Sequence, residues 1–163
     1  MALDRHALLE RNLDRQIAWT RASDSKLALV LPINSAMLGV LAAQLAQAQA
    51  RLGPHHWALA LAASLPAFVS FYSAVRAAMP RLRPGAEEAC IHFTGIAAHS
   101  PERFHDRMRD LTEEEHFEHL TAEVHTAAIV ARDKMIHARR AYRALFLALP
   151  FWIAAIYVLN RPN

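Results

Sequence analysis

The sequence has little cysteine, little glycine and no even spread of charge. Cys90 is the only cysteine in 163 residues, so the chain cannot form an internal disulfide and nothing points to an oxidising compartment. With only four glycines among many alanines and leucines, the composition favours helices over strands. The sequence also lacks a nucleophile elbow, a phosphate-binding glycine loop and a dinucleotide fingerprint, which argues against an enzyme.

Two long segments lack formally charged residues. Residues 27–50 and 52–75 are each about 24 residues long, and about 20 apolar residues are enough to cross the hydrocarbon core of a bilayer. A third run, residues 144–160, is shorter and is closed by an arginine at each end. Helices of a soluble bundle would carry an outward polar face in every turn, and these runs do not. We therefore predict an all-α membrane protein with three transmembrane helices.

These runs divide the chain into four predicted segments. They are an amphipathic N-terminal helix at 1–26, a transmembrane helical hairpin at 27–78 with spans at about 27–49 and 56–77, a helical sensing and stalk segment at 79–143, and a third transmembrane helix at 144–160. In the first segment Leu9, Leu13 and Ile17 form a stripe that is suited to pack on the stalk.

The positions of Lys and Arg predict the orientation. Cations are frequent before the first span and before the third, whereas the turn between the first two spans carries only Arg51. Because the cytoplasmic flanks of membrane spans are enriched in Lys and Arg, residues 1–26 and 79–143 are predicted to be cytoplasmic, and the C-terminus to lie outside. The same rule accounts for the net charge of +3 without a nucleic-acid partner.

Helix start signals organise the segment between the second and third spans. Ser100 followed by Pro101 predicts the N-cap and first residue of a short helix that ends near Asp110. Thr112 and Glu115 have capping-box spacing, and no Gly or Pro follows until Pro150. We predict one helix from Glu113 through the third span, with one apolar face formed by Phe117, Leu120, Val124, Ala127, Ala128, Ala131 and Met135.

Prolines and small residues recur within the spans. Pro32, Pro66 and Pro150 each interrupt one span, either as tolerated kinks or as hinges of a protein that changes conformation. Small residues are spaced by four residues, which favours close approach of helices within a chain or between subunits. These residues are Gly39 with Ala43, Ala42 with Ala46, and Ser70 with Ala74 and Ala78.

Charged residues beside the first span are the main candidates for chemistry. Asp24 and Lys26 can extend towards the headgroups, but a carboxylate gains nothing near anionic lipid, so Asp24 should pair with Lys26 or with a cation of the stalk such as Lys134. The cations between residues 132 and 143 suit either anionic lipid or a nucleotide phosphate.

The histidines are a weaker candidate for chemistry. His116, His119 and Glu123 share a helical face, but no paired-histidine metal motif is present, so we predict no metal and interpret the histidines as solvated or capping groups.

Three blocks resemble the transmembrane effectors of the Pycsar anti-phage systems. The first is Trp19-Thr20-Arg21-Ala22-Ser23-Asp24-Ser25-Lys26, similar to the family's entrance to its first span, and the second is Phe93-Thr94-Gly95-Ile96. The third runs from Leu111 through Glu115 to Leu120, Val124, His125 and Lys134. This block departs from the family pattern at His119, where an acid is usual, and at Glu123, where a glutamine is usual.

The resemblance implies a signalling role. Such an effector responds to a cyclic pyrimidine mononucleotide, cyclic CMP or cyclic UMP, made by a companion cyclase, and it then oligomerises and impairs the bacterial inner membrane. No other cofactor is implied. Asp24, Lys26 and Lys134 are candidates for coupling, and Phe93, Gly95, His125 and Arg132 are candidates for nucleotide sensing. A non-signalling membrane scaffold or anchor, or a small channel, is the alternative.

Overall fold

The regular elements of the protein are helices. The computed structural model describes residues 4–48, 52–79 and 93–161, and no strand occurs within them. The helices are α1 (Arg5–Gln47), α2 (Pro54–Ala78), α3 (Phe93–Ala98), α4 (Pro101–Asp110) and α5 (Glu113–Leu159). By length and composition α1, α2 and α5 could each cross a membrane. The predicted all-helical architecture with three such helices is confirmed.

The predicted helix starts are confirmed by their caps. The Ser100 hydroxyl accepts a hydrogen bond from the Arg103 amide at 3.3 Å, and α4 begins at Pro101. Thr112 and Glu115 form the capping box that begins α5. A helix leaves its first four amides without intrahelical partners, so such caps fix where it starts. Pro80, Pro84 and Gly85 predict a break in the helix after the second span, and these residues lie outside the described ones.

The prolines do not break the long helices. α1 continues through Pro32, α2 through Pro66 and α5 through Pro150. The boundary predicted between the N-terminal helix and the first span, at residue 26, is likewise not a break, because both belong to α1. The predicted single helix from Glu113 into the third span is confirmed by α5.

The chain forms two compact units. We call Met1–Arg21 with Pro80–Arg132 the polar unit, and Ala22–Met79 with Asp133–Asn163 the span unit. α1 and α5 each contribute their first part to the polar unit and their remaining part to the span unit. The apolar runs of the sequence all fall within the span unit.

Buried residues of the span unit recur every three and four residues alternately. An average spacing of 3.5 residues is typical of left-handed helix bundles that cross at about 20°. Only Ala and Ser form the buried stripe of α2, which lets the neighbouring backbones approach closely. The stripes are Ser23, Leu27, Val30, Asn34, Met37 and Leu41 on α1, and Ala60, Ala63, Ala67, Ser70, Ala74 and Ala77 on α2.

The small residues predicted to mediate close approach fall into two groups. Ser70 and Ala74 are fully buried and lie between helices of the same chain. Gly39, Ala42, Ala43 and Ala46 of α1 are exposed, and a Cβ built on Gly39 would meet no atom within 4 Å. Ser70 and Ala74 therefore act within the chain, whereas Ala78 of α2 is exposed and the small residues of α1 leave an open stripe on its outer face.

The apolar face predicted along α5 is correct except at its end. Leu120 and Ala131 are buried, and Phe117 and Val124 are half-buried. Met135 is 52% exposed, so its placement on this face was wrong. The buried positions after Ala131 continue at residues 138, 141 and 145, and this 3.5-residue spacing turns residue 135 away from the neighbouring helices.

Candidate functional site

A charged contact in the span unit joins α1 to α5. The Lys134 ammonium donates to both carboxylate oxygens of Asp24 at 2.8 Å. Lys134 is mostly buried, with 14% of its side chain exposed, whereas 46% of the Asp24 side chain is exposed. Of the partners predicted for Asp24, the structure selects Lys134. An ammonium this far removed from water depends on its carboxylate more than a surface lysine does.

Two further hydrogen bonds join the same two helices. The Tyr142 hydroxyl donates to the Lys26 carbonyl oxygen at 2.8 Å, and the Trp152 indole Nε1–H donates to the Met37 carbonyl oxygen at 2.8 Å. We call these two bonds and the Asp24–Lys134 ion pair the α1–α5 seam. Its residue numbers rise together along both helices, so α1 and α5 run parallel in the span unit.

The helix α2 is joined to α1 and α5 by hydrogen bonds of buried polar groups. Asn34 is fully buried, and its Nδ2 donates to the Ser70 hydroxyl of α2 at 2.9 Å and to the Val30 carbonyl oxygen at 2.9 Å. The Ser70 hydroxyl donates to the Ala141 carbonyl oxygen of α5 at 2.8 Å. One chain of hydrogen bonds thus connects all three apolar helices.

Cations cluster at one end of the span unit. α1 and α5 begin their apolar segments at this end, and the antiparallel α2 finishes there, as the contacts of Asn34 with Ser70 and of Leu41 with Ala63 require. The positive-inside rule uses such a cluster of cations to predict which end of a membrane span is cytoplasmic. The exposed members of the cluster are Lys26, Arg76, Arg139, Arg140 and Arg143.

Lys26 contributes to the α1–α5 seam through its backbone. Its carbonyl oxygen accepts from Tyr142, and its side chain is exposed at the cation-rich end. The structure therefore brings Asp24 and Lys134 together and gives Lys26 a different role from the paired cation that the sequence left open.

The four sensing candidates belong to the polar unit. Phe93 and Gly95 lie on the short helix α3, where Gly95 is buried. His125 and Arg132 are exposed on α5 and are two turns apart, so they share a face at a separation of roughly 10 Å along the helix. Gly95 is thus a residue of the interior, while His125 and Arg132 are open to solvent.

A histidine contact brings α1 and α5 together in the polar unit. The His6 and His116 rings stack at 5.5 Å between centroids with 14° between planes, and the edge of His6 meets Phe117 at 5.4 Å. His6 Nε2 and His119 Nδ1 are buried without a hydrogen-bond partner among the described residues. His116 thus packs as an aromatic ring, and its interpretation as a solvated or capping group was wrong.

The described residues contain no group of three His, Cys, Asp or Glu side chains arranged to hold a metal ion.

The capping box of α5 carries a shifted carboxyl group. One oxygen of Glu115 accepts from the Thr112 backbone amide and from the Thr112 hydroxyl, both at 3.0 Å. The backbone hydrogen bond and, after it, the hydroxyl hydrogen bond lower the pKa of Glu115 below its ordinary value, because both favour the ionised form. Glu115 therefore stays ionised at the positive end of the α5 dipole.

Three residues that make contacts between helices were not predicted from the sequence. Asn34 was passed over because its run contains no charged residue, although an amide inside a span is itself a signal for an interhelical hydrogen bond. A tryptophan within a short span, such as Trp152, suggests a membrane interface, yet Trp152 is half-buried and donates to α1. Tyr142 gave no periodic signal, because its role depends on a backbone carbonyl of another helix.

The comparisons with known proteins agree with the resemblance. No curated protein and no solved structure gives a significant match to the chain. The family model described as Pycsar effector protein domain matches residues 8–159, which include α2, α3, α4, the whole of α5 and all of α1 beyond its first three residues. Because the match covers nearly the whole chain, the protein belongs to the Pycsar effector family.

Proposed function

We propose that this membrane effector of the Pycsar anti-phage system is activated by cyclic CMP or cyclic UMP and then oligomerises and impairs the bacterial inner membrane. The observation that carries the proposal is that α1 and α5 both continue from the polar unit into the span unit, where Asp24 and Lys134 join them. A ligand that binds the polar unit differently in two conformations would bias both helices.

Asp24, Lys26 and Lys134 are the proposed coupling residues. The ion pair lies just before the first charge-free run, at the start of the apolar part of α1. A shift of α1 relative to α5 would separate the Lys134 ammonium, which is largely shielded from water, from the Asp24 carboxylate. The ion pair therefore favours one arrangement of the two helices.

Nucleotide sensing is proposed for the polar unit. His125 and Arg132 are exposed on one face of α5, and an arginine and a histidine are suited to hydrogen bond a cyclic phosphate. Phe93 and Gly95 belong to α3 of the same unit, and Gly95 is buried, so we propose that α3 responds to the nucleotide through the packing around Gly95. His119 and Glu123, the departures from the family pattern, lie on the same helix and bear on which nucleotide is accepted.

We propose the orientation of the chain in the membrane from the cations at one end of the span unit. Lys26, Arg76, Arg139, Arg140 and Arg143 are exposed there, so we propose that this end faces the cytoplasm. The polar unit is then cytoplasmic and meets the product of the companion cyclase.

Oligomerisation is proposed to use the outer stripe of α1. Gly39, Ala42, Ala43 and Ala46 are exposed within the first charge-free run, and spans associate where small residues let backbones approach. The open space beside Gly39 is free for the helix of another copy.

Dye leakage from liposomes tests the proposed function. We expect the full chain, reconstituted alone, to release dye when cyclic CMP or cyclic UMP is added and not with cyclic AMP, and the effective nucleotide to raise the melting temperature. A chain that neither leaks nor changes its melting temperature with either pyrimidine nucleotide would instead support a membrane scaffold or anchor.

A further inference from the structure

The hydrogen-bonded chain Asn34–Ser70–Ala141 lies in the interior of the span unit. Asn34 and Ser70 are both fully buried, and each occupies a position in the buried stripe of its helix. Asn34 lies seven residues after the start of the first charge-free run. If it lost a hydrogen-bond partner there, no water molecule would be available to replace that partner. We call these three residues the polar junction.

The polar junction is specific to one register of the three helices. Both Nδ2 hydrogens of Asn34 are used, one within α1 and one on Ser70, and the single hydroxyl hydrogen of Ser70 goes to Ala141. A slide or rotation of one helix would break at least one of these bonds inside the bilayer. A single polar residue in an apolar helix stripe is a known means of fixing register.

The polar junction is also incomplete. Asn34 Oδ1 is buried without a partner among the described residues, so the closed arrangement contains an unsatisfied acceptor. The rest of the α2 stripe is alanine and serine, whose small side chains offer little resistance to sliding. The register of the three helices is therefore held mainly by a few polar contacts. The Asn34 Oδ1 acceptor has no partner in this arrangement and would gain a hydrogen bond if the helices rearranged.

We propose that the polar junction is a latch that holds α1, α2 and α5 in the resting arrangement, so that releasing it makes membrane damage independent of nucleotide. This proposal rests on the proposed function, because the expected consequence of releasing the latch is membrane leakage. Asn34 and Ser70 are positioning residues in it, and they act through the arrangement of the spans. The polar junction differs from the α1–α5 seam because it includes α2 and lies wholly among buried residues.

The sharpest test compares two serines of α2. Ser70→Ala removes both hydroxyl bonds of the polar junction with a minimal change of volume. Ser73→Ala is the matched control, because Ser73 is 4% exposed on the same helix and lies outside the polar junction. Asn34→Leu, which exchanges the amide for an apolar group of similar size, is a second variant that is suited to fold in a membrane.

Without nucleotide, Ser70→Ala and Asn34→Leu should leak dye about five- to tenfold faster than the wild type, as expected for loss of two interhelical hydrogen bonds in the first variant and one in the second, and Ser73→Ala should leak as the wild type does. A purely structural serine would lower the melting temperature in detergent but leave basal leakage unchanged. The latch is overturned if Ser70→Ala and Asn34→Leu leak no faster than Ser73→Ala.

The two proposals fail in different ways. If the wild type leaks with cyclic CMP or cyclic UMP but the latch variants show basal leakage no higher than the control, the latch is wrong and the proposed function stands. If the wild type responds to neither nucleotide while Ser70→Ala leaks spontaneously, the latch stands and nucleotide activation is wrong.

Discussion

The span unit and the polar unit are held together in different ways. The helices of the span unit pack through alternating three- and four-residue stripes and are tied by an ion pair and interhelical hydrogen bonds. In the polar unit α4 has no buried residue, and α1 meets α5 through the stacked rings of His6 and His116. Segments with few buried contacts open at the lowest free energy. The polar unit is therefore suited to respond, and the span unit to resist until its ties are broken.

The largest expected effect comes from removing the charged tie. Lys134→Ala should reduce toxicity during expression with an active cyclase by at least about tenfold, because it removes the charged contact through which a change in α5 would be passed to α1. Arg139→Ala, the removal of an exposed cation on the same helix, is the control and should keep toxicity. Membrane fractionation checks that both variants insert.

A charge exchange sharpens this result. Asp24→Lys combined with Lys134→Asp should recover part of the toxicity, since the pair is restored in reversed order, whereas either change alone should not. Normal toxicity of Lys134→Ala would remove the ion pair from the mechanism and weaken the contrast between the two units.

A second, intermediate effect concerns the outer stripe of α1. Gly39→Leu should leave the monomer folded, because Gly39 is exposed and a Cβ there would meet no atom within 4 Å, but should reduce assembly and leakage by about tenfold through loss of close helix approach. Crosslinking of reconstituted protein measures the assembly. Val40→Leu, an exposed change beside it, is the control, and an equal loss in both variants would show that the stripe is not an interface.

A smaller effect is expected from the indole bond of the α1–α5 seam. Trp152→Phe keeps an aromatic ring but removes the Nε1–H that donates to Met37, and should lower the free energy of unfolding by about 1 kcal/mol. Trp57→Phe, at a position that is 51% exposed, should change stability little. Chemical unfolding in mixed micelles compares the two, and equal stability would make Trp152 merely an interfacial residue.

The smallest expected effect is the pH response of the α5 cap. Because the pKa of Glu115 is lowered in the folded chain, its stabilising contribution is present above the ordinary glutamate value of about 4.3. The contribution is lost as pH falls through the lowered folded value. Glu115→Gln should therefore reduce helix content at pH 7 slightly and make it less sensitive to acid than the wild type, whereas Glu118→Gln should behave as the wild type in circular dichroism.

Much of the fold could be predicted because its signals are local. The charge-free runs mark the helices that could span a membrane, and capping residues such as Ser100 and Thr112 mark the starts of α4 and α5. Continuous helicity after Glu113 follows from the absence of Gly and Pro up to Pro150. In each case the deciding interaction lies within a few residues along the chain.

The candidate site was predicted less completely because its contacts cross between helices. The sequence left Lys26 and the cations of the stalk as possible partners of Asp24, and only the structure selected Lys134, 110 residues away. Met135 is exposed because the stripe of α5 steps by three residues from Ala131 to the mostly buried Lys134, and an apolar residue at position 135 gives no sign of that step. The roles of Phe93, Gly95, His125 and Arg132 stay predictions, since they depend on a bound nucleotide.

The sequence by itself determined that the chain is helical, that three of its segments suit a membrane and that its cations flank them. These properties follow from composition and from interactions one or two turns apart. Only the tertiary structure decided that Lys134 is the partner of Asp24 and that Asn34 and Ser70 join all three helices through the Ala141 carbonyl. The physical reason is that a buried polar group selects its partner by distance in space, and no pattern along one helix carries that distance.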